Sequence, residues 1–363
     1  MLRIKEEGYG MQSRKRRGSF LILIISVLFG ILFSGCGQKT EQSYLAAGMK
    51  QIEEMDYDAA LASLEAALLA GENERQVERG MGIACMGKTD YEAAIEHFLT
   101  SLSLSNGIVI EMDYDINYYM AAAYQKIGKF EEAEAVYTAI LAMREDTNAY
   151  YLRGIARLAQ DRYVDAKEDF DTAVRLEPNN YSRLVQIYEV LYTNGYKEPG
   201  LEYLQTALSE RSSKMSAFDK GVIHYYLGNY EQAQVFLEEA KADGRADSYL
   251  YLGMAYEATG DHNYAITNVY TAYLQNHEGN APLYNQLGLC YMKQGNYSAA
   301  LEAFQQAMQI PDNGMMQTLR FNEIIAYEYL GEFTQAEVLL DNYLKNYPDD
   351  EEARREYDFL STR

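Results

Sequence analysis

The chain has 363 residues, of which 48% are apolar and 24% charged, a composition that excludes a disordered polymer and allows two or three domains or one long repeat array. A formal net charge of -22 excludes binding to a nucleic-acid backbone, which needs a basic surface. Three cysteines cannot build a disulfide framework, and only 5 prolines against abundant Ala, Glu, Leu and Tyr favour helix.

The first 40 residues differ from the rest. Residues 1–17 hold six basic side chains and two acidic ones, and the apolar run FLILIISVLFGILF follows from Phe20 to Phe33. Its 14 residues suit the core of a signal peptide and fall short of the roughly 20 that a spanning helix needs, the alternative being a plain N-terminal membrane anchor. The run ends in Phe33-Ser34-Gly35-Cys36 before the polar Gly37-Gln38-Lys39-Thr40. This resembles the lipobox of bacterial lipoproteins, which implies lipidation of Cys36 as the first mature residue, a signal peptide over 1–35 and a short linker over 36–40. The resemblance places the chain on the extracytoplasmic side of a bacterial cell membrane. Removal of residues 1–35 leaves a body with a net charge of about -26 that repels anionic lipid, so attachment would rest on the acyl chains.

From residue 41 onward one pattern recurs. A turn is followed by an aromatic residue and, three positions later, by a small one, at Ala60, Ala94, Ala133, Ala166, Gly200, Ala233, Ala265, Ala300 and Ala336. Twelve residues before each small residue stands Gly or Ala in seven units, as in Gly48, Gly82, Gly154 and Gly288. Four residues after it stands a bulky side chain: Leu64, Phe98, Tyr137, Phe170, Leu204, Leu237, Val269, Phe304 and Leu340. Small residues let two helices approach, bulky ones fill the groove beside them, and a glycine at the first helix's end supplies a left-handed cap. No unit can bury its apolar face alone, so neighbours must stack. The pattern resembles the tetratricopeptide repeat, a helix–turn–helix unit. It implies an all-α fold, a right-handed superhelical solenoid of about nine repeats over 41–350, with a C-terminal capping helix over 351–363. The widest spacing predicts a longer loop through Asn106-Gly107-Ile108.

Residues 82–89, GIACMGKT, fit the phosphate-loop pattern, but that motif must join a strand to a helix. Here Gly82 is the packing glycine of a helix and Gly87-Lys88-Thr89 an inter-helix turn. The four histidines lack metal-ligand spacing, and Cys85 and Cys290 lie in first helices of distant units as small buried groups. No nucleophile–base arrangement has supporting context, so the chain is read as a non-enzyme without cofactor or metal.

The remaining functional surface is the concave one. The family resemblance puts Tyr118, Tyr151, Ile155, Tyr192, Phe218, Tyr225, Met254, Leu289 and Phe321 on the groove-facing side of the first helices. It implies a scaffold or adaptor binding protein or peptide segments of the cell envelope. The acidic surround favours basic partners. The Lys and Asn pair that family members use to clamp chaperone tails has no counterpart here, which disfavours such tails. The competing expectation is an envelope enzyme or ligand-binding lipoprotein with a pocket hidden from sequence.

Overall fold

The computed structural model describes residues 43–311, 313–348 and 350–361. The lipobox, Cys36 and the apolar run therefore lie outside the described residues. Every regular element described is helical, and the chain divides into two compact units, 43–178 and 179–361.

The first unit holds four helix pairs: α1 (Tyr44–Glu53) with α2 (Tyr57–Leu69), α3 (Glu74–Gly87) with α4 (Tyr91–Ser103), α5 (Glu111–Lys126) with α6 (Phe130–Met143), and α7 (Thr147–Leu158) with α8 (Tyr163–Leu176). Each helix packs on the next, and α3 also touches both α1 and α5, forming an inner layer behind which the even helices lie. The second unit repeats the plan. It runs α9 (Tyr181–Thr193), α10 (Lys197–Arg211), α11 (Ala217–Tyr226), α12 (Tyr230–Ala240) and α13 (Ala246–Ala258), and then α14 over 262–274. It ends with α15 (Ala281–Lys293), α16 (Tyr297–Met308), α17 (Met316–Leu330), α18 (Phe333–Asn346) and α19 (Glu351–Leu360). Ala353 and Leu360 of α19 are buried in the apolar cluster that α17 and α18 share.

The recurring residues act as their chemistry requires. Ala60, Ala94, Ala133, Ala166, Ala233, Ala300 and Ala336 are wholly buried. The inner-helix glycines are met by the bulky residue of the outer helix. A methyl group at Gly82 would lie 2.4 Å from Phe98, at Gly154 2.6 Å from Phe170, and at Gly288 2.4 Å from Phe304. Thus Gly288 faces the ring of Phe304, and Ala300 lies a turn earlier in the same seam.

One unit departs from the spacing. Val269 was expected opposite Gly253, yet it is Tyr270 whose ring atoms would lie 2.1 Å from a methyl group there. The cause is a π-helical turn, Ala265–Tyr270, between the α-helical turns of α14. That turn holds one more residue than an α-helix would, so Tyr270 reaches the groove, while Val269 is buried beside it.

The nine inter-helix turns all contain one residue with φ near +60 to +90°. Gly128, Gly195, Gly228, Gly260, Gly295 and Gly331 supply it in six, whereas Met55 (φ 59°), Thr89 (φ 62°) and Asp161 (φ 59°) supply it in three. A β-branched side chain there is strained by about 1–2 kcal/mol, partly offset in a glycine variant by the greater freedom of its unfolded chain. Thr89→Gly is therefore expected to raise stability by about 0.5–1 kcal/mol in urea unfolding. A loss instead would mean that the threonine side chain supports the turn.

Candidate protein-binding groove

In the first unit the inner helices leave an open cleft of about 480 Å³, lined by Leu45 and Met49 of α1, Gln76 and Arg79 of α3, and Glu111, Met112 and Asp115 of α5. Asn73 starts α3 by accepting from Gln76 N at 3.1 Å, which fixes the turn that presents Gln76 and Arg79. Arg79 Nε donates to Asp115 Oδ2 at 2.6 Å, so the cleft's guanidinium is already matched by a carboxylate. Arg75, one turn earlier, pairs with the buried Asp113 and donates from Nε to the carbonyl of Ser101 at 3.2 Å. Two methionines and a leucine thus give the cleft an adaptable apolar lining beside its charged groups.

The sequence-expected residues of this unit are half-buried. Tyr118 donates from its hydroxyl to Asp146 Oδ1 at 2.7 Å. Burial, and then the Asp146 carboxylate, push its phenol well above the ordinary value. The same Asp146 oxygen caps α7 through Asn148 N and Ala149 N, so Tyr118 is locked to the start of the next pair. Tyr151 tilts against Phe170 with ring centroids 6.0 Å apart, and Ile155 lies one turn along. Behind them is a buried charge network. Asp169 accepts from Arg153 at 2.7 and 3.0 Å and from Arg157 at 2.9 Å. Glu134 accepts from Arg157, Gln160 and Arg162 at 2.8, 3.0 and 2.6 Å. Burial works against the Glu134 carboxylate, yet these donors and charges hold its pKa below the usual range.

In the second unit the groove candidates separate. Tyr192 is 41% exposed and Tyr225 half-buried, and both belong to one aromatic cluster. Tyr188 lies 5.8 Å from Tyr192 and 5.3 Å from Tyr226, and Tyr225 lies 5.8 Å from Tyr251. Tyr226 donates to the buried Glu189 at 2.5 Å, with its hydroxyl 3.2 Å from that of Tyr251. Met254 is half-buried. Phe218, Leu289 and Phe321 are not groove surface. Phe218 is 5% exposed, packed edge-on against Tyr251 and covered by the Arg245 guanidinium 4.5 Å above its ring. Leu289 is 4% exposed, and Phe321 is 1% exposed with its ring 5.8 Å from Tyr343. Position in the repeat placed them on the inner face, but Tyr251 and Arg245, a repeat away, seal Phe218, and Phe321 is packed on the ring of Tyr343.

Sequence reading missed Glu189, Tyr251 and Glu257. Glu257 is buried and accepts from Tyr270 Oη at 2.7 Å, Gln286 Nε2 at 3.0 Å and Lys293 Nζ at 3.2 Å, joining α13, α14 and α15. A carboxylate at the last turn of an inner helix, with Lys293 one repeat on, was the signal available for it. Burial, and then the Glu257 charge, raise the Cys290 thiol far above its usual value, and burial raises that of Cys85, so neither is an activated nucleophile. Among the described residues no group of His, Cys, Asp or Glu could hold a metal ion. The phosphate-loop-like segment is the end of α3, with Gly82 against Phe98 and Lys88 paired with Asp58.

Profiles described as tetratricopeptide repeat match residues 119–181, 218–281, 281–310 and 321–350, together a little over half of the chain. RNA polymerase II-associated protein 3 of Homo sapiens is 31% identical over 140 residues, covering 34% of this chain and 21% of the relative. Its Mus musculus counterpart is 34% identical over 84 residues, 22% of this chain and 13% of the relative. The chain thus spans about a fifth or less of the length of these curated relatives. Among solved structures, a tetratricopeptide repeat protein from Parabacteroides merdae matches at 16% identity and a TM-score of 0.44, over 77% of this chain and 97% of that one. Yeast Tom70 matches at 14% identity and a TM-score of 0.49, over 88% and 80%. With its repeats matched by family profiles and its inner-helix glycines seated on the bulky residues of the outer helices, the chain belongs to the tetratricopeptide-repeat family.

Proposed function

We propose that the chain is a lipid-anchored scaffold on the extracytoplasmic side of a bacterial membrane. Cys36 carries the lipid, and the inner helices bind segments of envelope proteins. The observation that carries the binding role is the open cleft between α1, α3 and α5, lined both by the apolar Leu45, Met49 and Met112 and by the charged Arg79, Glu111 and Asp115. The acidic body favours basic partner segments and speeds their association at low salt. Tyr192 and Tyr225 supply the anchoring contacts in the second unit, because aromatic side chains offer large area at low entropy cost.

Cross-linking and capture of the full chain from its own cells tests this reading. Tyr192→Ala with Tyr225→Ala is expected to lose at least about tenfold in captured partner while helicity and melting hold, since Tyr192 is the most exposed ring of its cluster. Normal capture by the folded double variant would sink the aromatic surface, and capture of no protein by the parent chain would sink the scaffold. For the anchor, Cys36→Ser is expected to abolish acyl-glyceride labelling and release the chain from membranes. A Cys36→Ser variant that is still labelled refutes the lipidation site.

A further inference from the structure

Most of the exposed large apolar side chains of residues 43–178 gather at one edge. All connections between repeats, where an even helix ends and the next odd helix begins, lie on that edge. Tyr44 N donates to Glu72 Oε1 at 2.8 Å, Arg75 Nε to Ser101 O at 3.2 Å, and Arg144 to Glu111 at 3.2 Å, tying each helix start to the neighbouring connection. The chain enters the first repeat at Ser43 on this same edge. Here Leu69 is 90%, Ile108 65%, Val109 43% and Ile110 46% exposed, with Tyr44 and Leu104 also exposed. The backbone holds the three consecutive β-branched residues in place. Ile108 N donates to Asn106 Oδ1 at 3.0 Å and Ile110 N to Asp113 Oδ2 at 2.8 Å. No Asp, Glu, Lys or Arg stands between Glu96 and Glu111. The opposite edge differs, its turns carrying Asp56, Lys88, Asp90, Lys129 and Asp161 and exposing only two scattered large apolar side chains among the described residues, Met55 and, at the start of α8, Val164.

We propose that this edge rests in the interface of the bilayer that holds the N-terminal segment, with Ile108, Val109 and Ile110 reaching the boundary of the acyl chains. The inference rests on the membrane-anchor reading above. It commits to a lipid surface because the exposed apolar set and the entry of the anchored segment coincide on one edge. The seven residues or so from Cys36 to Ser43 reach at most about 25 Å, and two repeats of packed helices place the loop about 20 Å along that edge, so the tether is long enough for the whole edge, loop included, to lie on the membrane. A zwitterionic lipid fits this edge best, since Glu72, Glu74 and Glu145 flank the apolar residues and oppose anionic headgroups, while Glu111 is paired with Arg144. Apolar side chains of a surface-bound element sink about 5–10 Å, to the headgroup–acyl boundary.

The chain contains no tryptophan, so Val109→Trp in the full chain is a single reporter. Reconstituted in phosphatidylcholine vesicles with brominated acyl chains, it is expected to show blue-shifted emission and to lose about half its intensity. Val164→Trp, on the exposed start of α8, is expected to be unaffected. If the protein floats with the vesicles but the Val109→Trp reporter is not quenched, the anchor stands and this inference falls. If the protein stays in the aqueous fraction, both fall. A concentration-dependent blue shift without vesicles would assign the edge to a second copy of the chain, also overturning the inference.

Discussion

Asp169→Ala is expected to destabilise residues 43–178 by about 3–5 kcal/mol, the cost of breaking a buried ion pair from one side. The Asp169 side chain is 4% exposed and satisfies Arg153 through two parallel bonds and Arg157 through a third. Its loss leaves two guanidinium groups, 13% and 16% exposed, facing each other with Glu134 as the one remaining nearby anion bonded to Arg157. Asp169→Asn keeps one acceptor and should lose clearly less. Urea unfolding followed by hydrogen exchange checks the location, because a repeat array is held by nearest-neighbour contacts and the lesion should open α7 and α8 first. A loss below about 1 kcal/mol, or one spread evenly to α15–α18, would refute the network's role.

Phe304→Ala is expected to cost about 3–5 kcal/mol by the loss of a buried ring and the cavity it leaves. Phe304 is wholly buried, with its ring edge on the bare backbone of Gly288. The pair gives a sharper test than either residue alone. Gly288→Ala by itself forces a methyl group to within 2.4 Å of Phe304, an overpacking cost of about 1–3 kcal/mol that exceeds the gain in helix propensity of about 1. In the Phe304→Ala background the same methyl group meets open space, so Gly288→Ala should turn stabilising. A double-mutant cycle measures this reversal. Additive effects would show that the two side-chain positions are not in contact.

The repeat was legible because its signal is steric and local. A helix that must approach another within van der Waals contact shows a small residue at a fixed place, and a left-handed turn shows a glycine. Where a turn uses Met55, Thr89 or Asp161 the glycine signal fails, yet the aromatic and alanine positions around it keep the register. The groove was less legible because exposure at an inner-helix position is decided by side chains a repeat away. Tyr118 and Phe218 hold the same position in their units. Tyr118 remains half-buried with its hydroxyl on Asp146, whereas Phe218 is sealed by Tyr251 and Arg245. The bulky-residue spacing held a clue that the alanine spacing concealed. Counting Tyr270 rather than Val269 between Leu237 and Phe304 gives intervals of 33 and 34 residues instead of 32 and 35.

The π turn over Ala265–Tyr270 also bears on how such arrays grow by duplication. Copying a repeat preserves its contacts only if every copy has the same phase, and gain of a single codon inside a helix rotates all later side chains by about 100°. Here the extra residue is confined to one turn, with Thr267 and Asn268 facing solvent, and Tyr270 and Tyr273 return to the buried side. Deleting Thr267 would place Tyr270 four residues after Ala265, the interval of the neighbouring units. An outer helix of this array can therefore absorb one codon without passing the shift to the next repeat, which lets the length of the gene drift while the stacking stays fixed.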